Sequence, residues 1–542
     1  MKFIRNLLPS KQEQLLDEGI EGYRENNYTE AIGLLSQSIQ IEPNNAEPYF
    51  YRALCWQQLR DHEHAIEDFK SAREIDPQFR SIIHYATALS YKGMENEDKA
   101  LEELNTFLTL KSNYTSALFH RSKILYKKKR FEEALKDVGL ILASASDHFE
   151  AYLFSAVIRI EMGDYKRAVI DLNSAIKLKP SSDEAWILRG DAKRQLKLYH
   201  EAVFDLRKAL SINPKNPSAF STLAKVYSSM GSHVDALREL NSSLKLKPDF
   251  IDALLLRADS LIKLEKFDEA LADFDQILNV DPNNKDIRER RGHLKKLLND
   301  TESAREDFYK VLELNPDDAN SYYLLSDIEI AFDNHETALD LIEKAVAQEN
   351  ENHKFYNQRG LIRFKLKKFT ESVADYTKAI QLTHENYLYY YNRALAKIEL
   401  KDFSGALADF TKALVKPDFI NAYTARAELK IKMEDLNSAI LDYDRVIHID
   451  GMNKNAFFMK AFCYNLLGEY DNGLREINRA LKVDKKFADA YYIRALINVN
   501  LLYYKAAKTD CENAIKFGTL DYQTPALMLL RDINKKTTQM TE

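Results

Sequence analysis

Nine arginines in this chain are each followed, sixteen residues later, by an aspartate: Arg52 and Asp68, Arg121 and Asp137, Arg189 and Asp205, Arg257 and Asp273, Arg291 and Asp307, Arg359 and Asp375, Arg393 and Asp409, Arg426 and Asp442, Arg494 and Asp510. Two kinds of chemistry use guanidinium groups in such a series. An unpaired ladder would grip phosphate or acidic peptides, and a paired one would be a set of internal ion pairs. Substituted positions discriminate between them. Leu325 is matched by Leu341, and Lys460 by Glu476, so the partner changes with the Arg. That favours structural ion pairs, with Arg257–Asp273 and Arg393–Asp409 as representatives. If exposed, each would be worth about 0.2–1 kcal/mol.

Other reactive residues are sparse. His62-Glu63-His64 has the look of a metal site, but His62 stands where comparable segments carry Tyr or Phe, so packing is the better reading. Cys55, Cys463 and Cys511 form no metal or redox spacing and read as small core residues. Their odd number, with no secretory signal, favours a reducing, cytoplasmic setting. Lys127-Lys128-Lys129-Arg130 reads as a solvated turn at a helix end. Lys285, Arg288, Arg290, Arg291, His293, Lys295 and Lys296 crowd one segment, making Arg288 and Lys296 candidates for an acidic partner. Phosphate-loop, dinucleotide and zinc-protease motifs are all absent. The expectation is a protein without catalytic residues, cofactor or metal. Net charge of −6 with interspersed signs gives no footprint for nucleic acid. No apolar run reaches the 18 or so residues of a membrane span.

The elements that must position these residues announce themselves by period. Small residues recur at Ala31, Ala65, Ala100, Ala134, Ala168, Ala202, Ala236, Ala270, Ala304, Ala338, Ser372, Ala406, Ala439, Gly473 and Ala507. The step is 34 residues, except one of 35 before Ala100 and one of 33 before Ala439. Twelve residues upstream of each runs a second small column, from Gly19 and Ala53 to Ala461 and Ala495. Two helices approach closely only where one side chain is small. Numbering each unit from 1 to 34, the columns fall at position 20 of a second helix, B, and position 8 of a first helix, A. Large residues such as Tyr49, Trp186, Phe220 and Tyr390 occupy position 4, giving an apolar face at 4, 8 and 11. Pro43, Pro77, Pro180, Pro214, Pro248, Pro282 and Pro316 stand at position 32, where a helix must stop.

Aromatic at 4, small at 8, Ala at 20 and Pro at 32 resembles the tetratricopeptide repeat (TPR). The run Ala219 to Tyr227, continued to Ala236 and Pro248, shows the whole pattern. The resemblance spans residues 12–521 in fifteen units and implies an all-α, right-handed solenoid, with residues 1–11 before it. Repeat 9 departs at Arg288, and repeats 3, 4, 10, 11 and 13 to 15 lack the proline. Ser10 and Glu13 form a capping box for the first helix. Thr524-Pro525 is expected to open a capping helix within residues 522–542, its apolar stripe being Ala526, Leu529, Leu530 and Ile533.

In this family helix A lines the inner groove through positions 2, 5, 9, 12 and 13. Those positions are apolar in repeats 1 to 5, polar in repeats 6 to 9, and apolar again in repeats 11 to 15. Two readings fit: contact between neighbouring A helices, or a partner site. The resemblance implies a scaffold for protein or peptide segments, gripped through Phe364, Tyr391, Phe458, Phe462 and Tyr492, with Asn455 satisfying the partner's backbone. A rival is a Hsp70/Hsp90-type co-chaperone. The residues of that family's carboxylate clamp match only at Asn392, with Asn357 and Leu361 where Lys and Asn belong. A recognition arm of a larger assembly is the other.

Overall fold

The computed structural model describes residues 10–76, 80–518 and 520–539. Pro77 and residues 1–9 lie outside them. The chain divides into two compact units, residues 1–282 and 283–542. Repeats 1 to 8 make up the first; repeats 9 to 15 and a terminal helix make up the second. In each, the architecture is an α-solenoid of helix pairs. The described residues form 31 helices and no strand.

The register follows the period closely. Helix A of repeat 8 runs Ile251–Lys263 and its helix B Phe267–Val280. Repeat 14 has Lys454–Leu466 and Tyr470–Val483. The small columns are where the helices touch. Ala53, Ala156, Ala224, Ala258, Ala394, Ala427 and Ala461 have no exposed surface, nor do Ala31, Ala65, Ala202, Ala270 and Ala406. A Cβ added at Gly19 would lie 2.6 Å from Leu35 Cγ, and one at Gly360 2.9 Å from Tyr376 Cε1. Position 8 of helix A therefore meets position 24 of helix B within the same repeat.

Between the helices, position 15 has positive φ in every repeat. Asn26, Arg60, Glu95, Lys129 and eight further non-glycine residues lie at +57° to +67°, and Gly163, Gly231 and Gly468 at +76° to +79°. The left-handed residue reverses the chain in three residues so that B returns along A. Only three of the fifteen are glycine, so no glycine column marks the turn in the sequence.

Helix B stops at position 30 with or without the proline. Helix B of repeat 1 ends at Ile41, before Pro43, and that of repeat 3 at Leu110, with no proline following. Their next residues, Glu42 and Lys111, leave the helix at nearly the same φ, −135° and −137°. Repeat 12, the 33-residue unit, is the exception: its helix B, Phe403–Ala413, is cut to 11 residues.

The first helix opens as expected, with Ser10 Oγ accepting from Glu13 N at 3.2 Å and Glu13 accepting from Ser10 N at 2.6 Å. The terminal helix does not. It runs Leu520–Gln539, with Pro525 inside and Thr524 not its cap. Proline at the sixth position forgoes one intrahelical bond, which is milder than a break in mid-helix because it falls just past the first turn. Ile533, with Leu529 and Leu530, packs that helix against Ala507 and Cys511 of repeat 15, and Ala526 is fully buried.

Candidate functional site

The nine Arg–Asp pairs all form. Eight place the guanidinium Nη2 2.5–2.7 Å from an aspartate oxygen, and Arg291 makes the same contact with Asp307. Nε donates to the same carboxylate, so each pair is a bidentate fork. The aspartate side chains are between 0 and 9% exposed, so these carboxylates are largely desolvated, and their loss would leave a half-buried cation without its partner.

A third partner escaped the sequence reading. In seven cases Nη1 reaches back to position 25 of the preceding repeat: Ser36, Asn105, Asn173, Asn241, Thr377, Thr411 and Asn478, at 2.7–3.1 Å. Each of these seven arginines therefore ties two repeats together. Lys460 repeats the device, with Nζ 2.6 Å from Asp444 at position 25 and 3.4 Å from Glu476 at position 23. The ring at position 4 completes it: Arg189 lies 4.6 Å from the Trp186 ring and Arg359 5.2 Å from Tyr356.

Two of the carboxylates differ in what faces them from position 11. Asp409 has Lys397 at 2.8 Å besides Arg393. Burial works against its charge, but hydrogen bonds from the two cations outweigh burial and hold its pKa below the ordinary value. Asp273 has Leu261 at that position, and burial pushes its carboxyl upward against the pull of Arg257. These side chains serve cohesion, and among them the structure offers no open ladder for a ligand.

The remaining candidates fall out as follows. His62 and His64 diverge: the His62 ring sits over Gly93, where an added Cβ would meet it at 2.3 Å, while His64 Nδ1 bonds Asp61 at 2.8 Å. Among the described residues no group of three or more His, Cys, Asp or Glu is arranged around a metal position. The three cysteines are buried, and burial lifts each thiol to about 11. Helix A of repeat 9, Lys285–Leu297, is laced into its own surroundings. Arg288 stands 3.9 Å from Asp307, which Lys295 also contacts at 2.9 Å; Lys285 pairs with Asp318 at 3.0 Å; and Lys296 bonds Asp327. An acidic partner there would have to displace these carboxylates.

The predicted groove residues sit on the A helices of repeats 11 to 15. Phe364, Tyr391, Phe458, Phe462 and Tyr492 are all half-buried, and Asn455 is exposed. Phe458, Phe462 and Tyr492 lean on one core cluster with Phe457, Ile477 and Ile493. Tyr391 meets Phe410 and Phe419 with ring centroids 5.9 and 5.0 Å apart, Phe458 meets Phe487 at 5.2 Å, and Phe364 meets Phe369 at 5.5 Å. Much of their apolar area is therefore spent on packing, and part of each side chain stays exposed. Asn392 of the clamp pattern is engaged with Asn357 at 3.1 Å. Among the described residues no helix is long and apolar enough to cross a membrane.

Paired helices repeating every 34 residues, small columns at 8 and 20, and, in nine of the repeats, an Arg–Asp ion pair joining helix A to helix B define a helical repeat protein. The units are tetratricopeptide repeats. Two family models of that description match, one at residues 16–78 and 155–217, the other at 286–318 and 353–386. A third, described as anaphase-promoting complex, cyclosome, subunit 3, matches residues 195–277. Among curated proteins, the small glutamine-rich tetratricopeptide repeat-containing protein 2 of Mycosarcoma maydis is 36% identical over 70 residues, 13% of this chain and 20% of that protein. Human serine/threonine-protein phosphatase 5 is 31% identical over 104 residues, 19% of this chain and 20% of its own length. The Dictyostelium discoideum anaphase-promoting complex subunit 3 is 32% identical over 99 residues, 18% and 10%. The chain thus spans a fifth or less of the curated relatives it matches. Solved structures similar to it include yeast Tom70, at 20% identity, 79% and 97% coverage and a TM-score of 0.32. The Cut9–Hcn1 assembly of the APC/C is another, at 16% identity, 98% and 98% coverage and a TM-score of 0.35.

Proposed function

We propose that the chain is a non-enzymatic scaffold that holds segments of other proteins against the A-helix face of repeats 11 to 15. What supports the reading is the row of half-buried rings there, Tyr391, Phe458, Phe462 and Tyr492, together with exposed Asn455 on the same helix as Phe458 and Phe462. Rings already held by packing lose little entropy on binding, and a helix or extended segment laid across them would bury area at fixed geometry. Asn455 would answer one backbone group of that segment. The co-chaperone alternative finds no support at Asn392, whose side chain is spent on Asn357. Membership of a larger assembly is consistent with the subunit 3 match at residues 195–277, which is a short part of the chain.

A photo-crosslinking residue at position 455 tests the face without disturbing the core. A matched probe at Leu441, 65% exposed on helix B of repeat 13, controls for random capture. Partner cross-links from 455 in clear excess over 441 are expected. Equal yields from both would place the contact elsewhere, and the assignment would fall.

A further inference from the structure

The A helices of repeats 3 and 4, Arg80–Gly93 and Thr115–Lys127, carry a group of donors that nothing above uses. Lys92 Nζ lies 3.0 Å from His120 Nδ1. Lys123 stands 4.3 Å above the Phe119 ring, which in turn meets Phe154 at 5.7 Å. Lys127, the nearest further cation, is neutralised by Glu97 at 2.7 Å. Among the described residues Lys92, His120 and Lys123 form no ion pair with a carboxylate, unlike the A-helix cations of repeats 6, 9, 11, 12 and 13.

Because Lys92 has only protons to give, the imidazole accepts through Nδ1 and keeps its own proton on Nε2. Burial first, then the charges of Lys92 and Lys123, push His120 down to about 4, so it is neutral at physiological pH. Burial, Lys123 and Lys127 also lower Lys92. Two exposed ammonium groups and an imidazole N–H thus stand near each other, and their mutual acceptor, His120 Nδ1, is already taken by Lys92, so the remaining donor capacity is open to an anion.

We propose that Lys92, His120 and Lys123 bind an Asp or Glu side-chain carboxylate of an extended peptide, with the neighbouring apolar residue of that peptide lying on Phe119 and Phe154. A carboxylate offers about four lone-pair sites, enough for three donors. The ring wall supplies the apolar half of the contact beside it. This site is independent of the reading offered for repeats 11 to 15.

The full-length chain is titrated with fluorescein-labelled acetyl-Glu-Leu-Glu-Phe-Glu-Gly-amide, its all-Gln counterpart, and the all-Gln peptide with a free C-terminus. The Glu peptide should bind, and the Gln amide should not. Lys92→Gln with Lys123→Gln should weaken binding by about tenfold, the combined worth of two partly screened charge contacts. Lys208→Gln, at an exposed lysine of repeat 6, should leave it unchanged. In chain labelled with 13C-histidine, the His120 midpoint should rise from about 4 toward the ordinary 6.5 when the Glu peptide is present, because the bound anion favours the imidazolium. Equal binding of Glu and Gln amides, indifference to the double substitution, a fixed His120 midpoint, or no binding below about 1 mM peptide would each overturn the proposal. Preference for the free-terminus Gln peptide would assign the site to a chain end and refute the side-chain assignment.

Discussion

Repeat 9 and the joint of repeats 3 and 4 are both basic, yet they are opposite structures. The repeat 9 helix carries seven cationic or imidazole side chains within twelve residues, and by composition it is the more basic segment. Its charge is answered from three directions: Asp307 on its own helix B, Asp318 at the close of its own repeat, and Asp327 in the next. Lys92, His120 and Lys123 are fewer and further apart in sequence, yet stay unanswered by any carboxylate. A count of charges therefore misranks the two. What decides whether a cation is available is the residue twelve, sixteen or thirty-odd positions away that the solenoid brings against it.

The sharpest way to break that contrast is at Asp307, which serves Arg288, Arg291 and Lys295 together. Asp307→Ala should leave three half-buried cations without their shared carboxylate and cost about 3 kcal/mol, read as a fall in the denaturant midpoint of the intact chain. Lys92→Ala removes a repelled charge and should stay within about 0.5 kcal/mol of wild type. Equal losses in the two variants would mean that the repeat 9 charges are no more structural than those of repeat 4.

The sequence carried the repeat boundaries, the small columns and all nine ion pairs, because each depends on one residue type at one spacing. Burial of the aspartates and the third contact to position 25 were not legible. Position 25 varies among Ser, Asn and Thr, so no single letter repeats, although each supplies the same side-chain oxygen. Pro525 misled because proline is as acceptable near a helix start as at it, and Leu520–Gln539 begins five residues earlier. The His120 group was invisible for a different reason. Positions 12, 6 and 9 of successive A helices share no motif, and only packing brings them together. The groove rings are half-buried, a degree of exposure that their place in the period does not specify.

A smaller difference between the regions should show in acid. The unfolded chain protonates His120 near the ordinary 6.5, whereas the folded chain resists until about 4, since burial, Lys92 and Lys123 oppose the charge. Between those values the unfolded state binds more protons, so stability falls as pH falls. The carboxylate of Asp409, held low by Arg393 and Lys397, loses its contribution only below its ordinary 3.8, so the two windows separate. Wild type should lose more melting temperature between pH 7 and pH 4.5 than His120→Gln does. Parallel profiles for the two proteins would show that the imidazole is not held neutral by its surroundings.

The finest difference lies in the turns that follow the two basic helices. Lys129 and Asn299 both occupy position 15, at φ of +59° and +62°. The left-handed conformation costs an ordinary side chain about 1–2 kcal/mol, but Asn is eased there by local hydrogen bonding of its short amide. Glycine escapes the steric cost and gives back about 0.5–1 kcal/mol through its freer unfolded chain. Lys129→Gly should therefore stabilise the protein by about 0.5–1 kcal/mol, and Asn299→Gly should change it little. Lys129 is exposed, and the lysines that make ion pairs in this cluster are its neighbours Lys127, with Glu97, and Lys128, with Asp98. Removing the Lys129 side chain thus isolates backbone strain from charge. If Lys129→Gly destabilises the chain instead, its side chain holds the turn through packing, and the basic run is more than the solvated turn that its composition suggests.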